Sequence, residues 1–143
     1  MKYLNPKLSR VDWDKACKSY YKAYKKIEKH FPHEFSETFL NGDFHDSTII
    51  EMKLVFKADK KSDLDLILHE DTWKDAKYYL KFKNIANIKM DFFYVCTWDY
   101  AEILPGKMIK HDKARRFSLE VIASENQFLY VEFESLEYSQ EIK

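Results

Sequence analysis

The pattern of apolar and polar positions changes period once along the chain. From residue 9 to 41 it follows a helix. With Ser9 or Asp12 as N-cap, Trp13, Cys17, Tyr20, Tyr24, Ile27 and Phe31 recur at alternating spacings of four and three, which places them on one face. Pro32 stops this helix, since it lacks an amide hydrogen and its ring clashes with the preceding turn. A second, shorter helix through Phe35, Phe39 and Leu40 runs to Asn41-Gly42, a pair suited to a left-handed C-cap. The stripe is too short for a coiled coil and is expected to pack on a sheet.

After Gly42 the period becomes two. Ile50, Met52, Leu54 and Phe56 alternate with Glu51, Lys53 and Lys57, and Leu64, Leu66 and Leu68 alternate with Asp65 and His69. The turn-like run 59–63 between them predicts a hairpin. Further strands are expected at 78–85, 92–104, 117–123 and 128–136, with turns at Pro105-Gly106 and 124–127. The pattern therefore predicts one α+β domain over 1–143, helical over 9–41 and β-rich over 44–138. Its N-terminal helices are expected to pack on one face of a mostly antiparallel sheet of about six strands.

Composition adds an aromatic-rich core: ten Tyr, eleven Phe and three Trp stand among 143 residues, and each ring buries a large area. Only two Gly and three Pro occur, without a Ser/Gly-rich or Pro-rich tract, so no internal linker is visible. The 24 basic and 24 acidic residues cancel, removing the long-range field that would gather nucleic acid or an anionic membrane; neither is an expected partner. Lys18, Lys22, Lys25, Lys26 and Lys29 share their segment with Asp12, Asp14 and Glu28 and read as a solvated helix face. Cys17 and Cys96 are too few and too far apart for a disulfide framework. With no apolar run of membrane-spanning length and no apolar stretch near the start, they point to a reducing, cytoplasmic setting.

Three short constellations carry candidate chemistry: His45-Asp46 before the first strand, His69-Glu70-Asp71 after the second, and Trp98-Asp99-Tyr100-Ala101-Glu102 in the fourth. At strand period Cys96, Trp98, Tyr100 and Glu102 share a face, with Asp99 on the opposite one. Imidazole beside carboxylate suits metal binding or acid–base work, while an Asp or Ser before a strand more commonly bonds backbone amides in a turn. His30, His33, His45, His69 and His111 show no paired ligand spacing, so no metal is expected. Gly42 and Gly106, the only glycines, cannot build a phosphate loop. No G-x-S-x-G elbow and no activated cysteine is visible either, so no catalytic residue and no cofactor is assigned. His45, Asp46, Trp98, Tyr100 and Glu102 are expected to gather at the start of the first strand as a polar cluster rimmed by rings.

This order of pieces resembles a group of small uncharacterised bacterial domain-of-unknown-function proteins, in which a helical segment leads to L/F-H-D-x-x-I, then strands, a W-x-Y-x-E strand and a final hairpin. The residues that carry the resemblance are Phe44, His45, Asp46 and Ile49, then Trp98, Tyr100 and Glu102, and finally Leu129, Val131 and Phe133. Proteins similar to these often serve as immunity proteins beside bacterial toxins. The resemblance thus implies a protein-binding role, with a protein toxin as partner. The alternative is a small-molecule-binding protein or metal-independent enzyme with its site around His45, Asp46 and Glu102. Aromatic residues outside the core-facing series, namely Trp73, Tyr78, Tyr79, Phe93, Tyr94, Tyr130 and Tyr138, suggest where a partner docks. An exposed cluster of Trp73, Tyr79 and Tyr130 near Glu70, Asp71, Glu132 and Glu134 would suit a basic target.

Overall fold

The computed structural model describes residues 1–92, 95–106 and 115–143; Phe93, Tyr94 and His111 lie outside them. Ser9 caps helix α1 (Arg10–Lys25), its hydroxyl accepting the Asp12 amide at 3.2 Å. The helix ends at Lys25 rather than at Pro32, yet Ile27 and Phe31 still reach the core through a 3-10 turn at Glu28–His30. Helix α2 (His33–Leu40) follows, and Gly42, at φ +76°, carries the chain out of it.

Among the described residues, eight strands form two four-stranded antiparallel sheets in place of the expected single sheet of about six. One sheet contains β1 (Thr48–Phe56), β2 (Ser62–Glu70), β3 (Ala76–Lys83) and β8 (Ser135–Ile142), in the order β1-β2-β3-β8. The other contains β4 (Asn87–Asp91), β5 (Trp98–Pro105), β6 (Phe117–Ala123) and β7 (Phe128–Phe133), in the order β4-β7-β6-β5. The expected hairpin is β1–β2, with Leu54 opposite Leu64 and Met52 opposite Leu66.

The split into two sheets has a physical signature. Leu129, Val131 and Phe133 are buried at odd positions, whereas Leu136 and the half-buried Tyr138 take even ones. The alternation slips at Glu134-Ser135, where the chain leaves β6 as neighbour and joins β3 in the other sheet. The expected strand 128–136 is therefore two strands. The expected strand 92–104 is also corrected: β4 ends at Asp91 and β5 begins at Trp98.

The inner faces of both sheets share one hydrophobic cluster with the helical segment. Phe82 and Phe133 meet across the sheets at 5.0 Å between ring centroids, Phe31 stands 4.9 Å from Phe117, and Phe35 stands 5.6 Å from Tyr138. The helices accordingly close a side shared by two sheets instead of covering one sheet face. α1 packs along β5 and α2 along β8, the terminal strands of the two sheets. The Tyr20 hydroxyl accepts the Ile103 amide at 2.7 Å and donates to the Ile103 carbonyl at 3.2 Å. A side chain thus satisfies backbone groups that an edge strand would otherwise expose. Among the described residues no helix is long and apolar enough to cross a membrane.

Candidate functional site

Between α2 and β1 the chain makes a series of tight turns, with the His45 amide bonded to the Gly42 carbonyl and the Ser47 amide to the Phe44 carbonyl. Phe44 points inward and is buried against Tyr78 and Trp98, at 5.0 and 5.5 Å between ring centroids. His45 and Asp46 are left outside, with side chains 58% and 71% exposed. Asp46 adopts φ +65°, a left-handed conformation that Asp tolerates better than most residues. It is held there by hydrogen bonds to the entry of β5: the Asp46 amide donates to the Trp98 carbonyl at 2.9 Å, and the Trp98 amide donates to the Ser47 carbonyl at 2.8 Å.

A β-bulge at Asp99 completes the arrangement. Trp98 pairs with Ala123 and Tyr100 with Ile122, so Asp99 is the extra residue. Beyond it, Ala101 and Ile103 take up the inward positions that Trp98 began, while Tyr100 and Glu102 turn to the other face. His45 Nδ1 donates to the Asp99 carbonyl at 2.6 Å, and His45 Nε2 lies 3.5 Å from Asp46 Oδ1. One donor atom from each of His45, Asp46 and Asp99 falls within 4.8 Å of the other two. The half-buried Asp99 carboxyl is pushed up from its ordinary pKa by burial, an effect that His45 opposes and Asp46 reinforces.

His45 and Asp99 of this trio border an apolar cavity of about 350 Å³ between α1 and β5, walled by Leu4, Trp13, Phe39, Phe44, Trp98 and Tyr100. Trp13 and Tyr100 meet edge-on at 5.6 Å. Cys17 also reaches the cavity, but burial and Asp14 push its thiol pKa up, the opposite of what a nucleophile requires. On its other side His45 borders a second depression, shared with Asp43, Asp46, Glu70, Trp73 and Lys74. Trp73 is 90% exposed there.

The loop that presents Trp73 is organised by Glu70. Its carboxylate accepts the amides of Thr72, Trp73 and Lys74 at 2.8 to 3.2 Å. These bonds, led by that from Lys74, lower the Glu70 pKa from 4.5 to about 2. A depressed carboxylate stabilises the loop fully above its ordinary value and loses that effect as pH falls through the native one. The Thr72, Trp73 and Lys74 amide resonances should therefore titrate with a midpoint near pH 2. A midpoint at the ordinary 4.5 would show that the carboxylate does not hold the loop.

His45, Asp46, Trp98 and Tyr100 thus meet, joined by Trp73 and Asp99, but Glu102 and Tyr130 do not. Glu102 is 1% exposed on the other face of β5, where it accepts the amides of Lys2 at 3.0 Å, Tyr3 at 2.7 Å and Leu4. Tyr130 lies on the outer face of the β4–β7 sheet, donating to Glu132 at 2.8 Å under the Lys89 ammonium. Tyr79 belongs to the other sheet, opposite Ile67 and Ser139, so Trp73, Tyr79 and Tyr130 form no common cluster. Sequence reasoning named Asp99 but put it on the opposite face and outside the cluster, although the shift of apolar positions from Trp98 to Ala101 and Ile103 is the mark of the bulge that presents it.

No protein-family model, curated protein or solved structure matches the chain.

Proposed function

We propose that this chain is a protein-binding domain of the immunity type, and that it neutralises a basic toxin through the face formed by Trp73, His45, Asp46 and Asp99. The observation that carries this reading is Trp73, a large aromatic side chain 90% exposed on a loop pinned by three amide bonds to one carboxylate. Such a ring costs little further ordering on binding and is the kind of anchor that dominates interface energies. Asp43 and Asp46 line the same depression as Trp73 and Lys74, Lys74 pairs with Asp43 at 3.5 Å, and Asp99 stands next to Asp46. A cationic partner segment fits this rim, and an apolar side chain beside it fits the cavity under His45. The raised thiol of Cys17 gives a nucleophilic mechanism no support.

The test uses the toxin domain of a secreted protein encoded beside this gene, in a catalytically inactive form. Trp73→Ala, at a solvent-exposed position, should leave the fold intact and weaken binding by roughly 1–4 kcal/mol. Tyr130→Ala, on a different surface, should leave affinity unchanged. Unaltered affinity in the Trp73 variant removes this face from the interface.

A second reading has its own observation. The cavity of about 350 Å³ lies within the size range of small-ligand sites, and its lining is mostly apolar. A small apolar ligand with a cationic end would raise the thermal stability of the protein on its own, and Trp13→Ala would remove that increase. A toxin partner requires neither effect.

A further inference from the structure

His45 presents one ring nitrogen to solvent in a defined chemical state. Its Nδ1 lies 2.6 Å from the Asp99 carbonyl oxygen, which can only accept, so Nδ1 carries a proton. In the neutral ring Nε2 then holds a lone pair, and it faces Asp46 Oδ1 at 3.5 Å. Two acceptors held this way repel each other, a repulsion that a cation between them relieves. A ring nitrogen of His45 and one carboxylate oxygen from each of Asp46 and Asp99 lie within 4.8 Å of one another. A zinc-class ion holds such donors at about 2.0–2.2 Å, so donors around one ion lie roughly 3–4 Å apart. Rotation of the exposed Asp46 side chain closes the remaining gap.

The surroundings fit the same chemistry. Metal-bound imidazoles usually donate their other N–H to a carbonyl or carboxylate, which fixes tautomer and ring orientation, and the Asp99 carbonyl does this for His45. The backbone bonds between Asp46, Ser47 and Trp98 hold the two segments in register, so the donors converge without folding around an ion.

We propose that His45 Nε2 and the carboxylates of Asp46 and Asp99 bind one divalent transition-metal ion of the zinc class, with water completing its coordination. The site is open to solvent, so the ion is exchangeable and no part of the core depends on it. It lies on the face assigned above to a partner but does not rest on that assignment, because the ion needs only this chain's donors.

Zn2+ titrated by calorimetry into protein stripped with a chelator tests the proposal, with Co2+ absorption as a second readout of the ligand set. One ion per chain should bind. His45→Ala, Asp46→Asn and Asp99→Asn should each weaken it roughly 10–100-fold. Both His45 and Asp46 side chains are more than half exposed, and Asn tolerates the left-handed backbone at 46, so these variants should fold. His33→Ala, which removes the solvent-facing His33–Glu37 pair at 3.8 Å, should leave binding unchanged. Trp73→Ala should do so as well, which separates failure of the ion site from failure of partner binding. Absence of saturable Zn2+ binding, or binding that survives His45→Ala and Asp46→Asn unaltered, overturns the proposal.

Discussion

Phe44→Ala should cost about 3–5 kcal/mol of stability, the largest single loss expected from this chain. Phe44 is 1% exposed, with the rings of Phe35, Phe39, Tyr78, Trp98 and Tyr138 around it at 5.0 to 6.4 Å between centroids. These neighbours come from α2, β3, β5 and β8, so a hole at residue 44 opens where the helices and both sheets meet. Rings wedged from several directions collapse poorly into such a hole, which puts the cost at the upper end of the range for buried aromatics. Against a total of roughly 5–15 kcal/mol for a domain, this is a large share. Urea denaturation measures it, and Phe44→Leu should fall between the two. The same side chain anchors the turn that presents His45 and Asp46, so the variant should also broaden the His45 ring resonances. A loss below about 1 kcal/mol, small for a fully buried aromatic, would mean that Phe44 is not the hub of this core.

The helices and the partition into a helical first part and a β-rich remainder were legible because each depends on uninterrupted periodicity. Trp13, Cys17, Tyr20 and Tyr24 recur at helical spacing, and Leu64, Leu66 and Leu68 alternate within β2 without a break. The two-sheet architecture was not legible from a reading of strands as continuous runs, because it lies in the breaks. One break is the bulge at Ile50: Ile49 is buried opposite Leu68, Ile50 is 44% exposed, and Met52 resumes the inward series opposite Leu66. A second is the bulge at Asp99, and a third is the slip at Glu134-Ser135. A one-residue slip moves every later side chain to the opposite face, so one missed bulge was enough to place Glu102 with His45 and Asp99 away from it. His45, Asp46, Trp98 and Tyr100 still lie near one another, although Tyr100 shares the face of Glu102 and not that of Trp98, because short contiguous runs tolerate such an error. Exposure of Trp73 could be suspected from its position among polar neighbours, but its separation from Tyr130 depends on which sheet each strand joins.

The bulge therefore divides β5 into two duties. Up to Asp99 the strand serves the exposed polar trio, through the Trp98 backbone and the Asp99 carbonyl. Beyond it, inward Ala101 and Ile103 belong to the core while Glu102 receives the N-terminal segment. Leu4, the third amide donor to Glu102, is 8% exposed and forms part of the cavity wall. Glu102 thus acts on the candidate site from behind, by placing a wall residue, and not through its own charge at the rim.

Glu102→Gln should accordingly destabilise the protein by roughly 2–4 kcal/mol, the sum expected when hydrogen bonds to a buried charged acceptor are lost and offset in part by relief of its desolvation. Glutamine keeps the volume, but its NH2 group would face backbone amides that also donate, and its single carbonyl oxygen cannot serve all of Lys2, Tyr3 and Leu4. The conservative replacement should therefore be nearly as damaging as Glu102→Ala. Glu120 stands directly opposite Glu102 on β6, with a side chain 35% exposed. Glu120→Gln relieves a like-charge pair but also weakens the ion pair of Glu120 with the Met1 ammonium at 3.3 Å, and these opposed effects should leave stability within about 1 kcal/mol of the wild type. Amide hydrogen exchange provides the decisive readout, since Tyr3 and Leu4 should lose protection in Glu102→Gln while Ile103 and the β6–β7 amides keep theirs. If Glu102→Gln unfolds within about 0.5 kcal/mol of the wild type, the change is no larger than that of an ordinary surface substitution. Retained protection at Tyr3 and Leu4 would then show that the N-terminal segment is held by burial of Leu4 alone, and Glu102 would have no part in shaping the cavity.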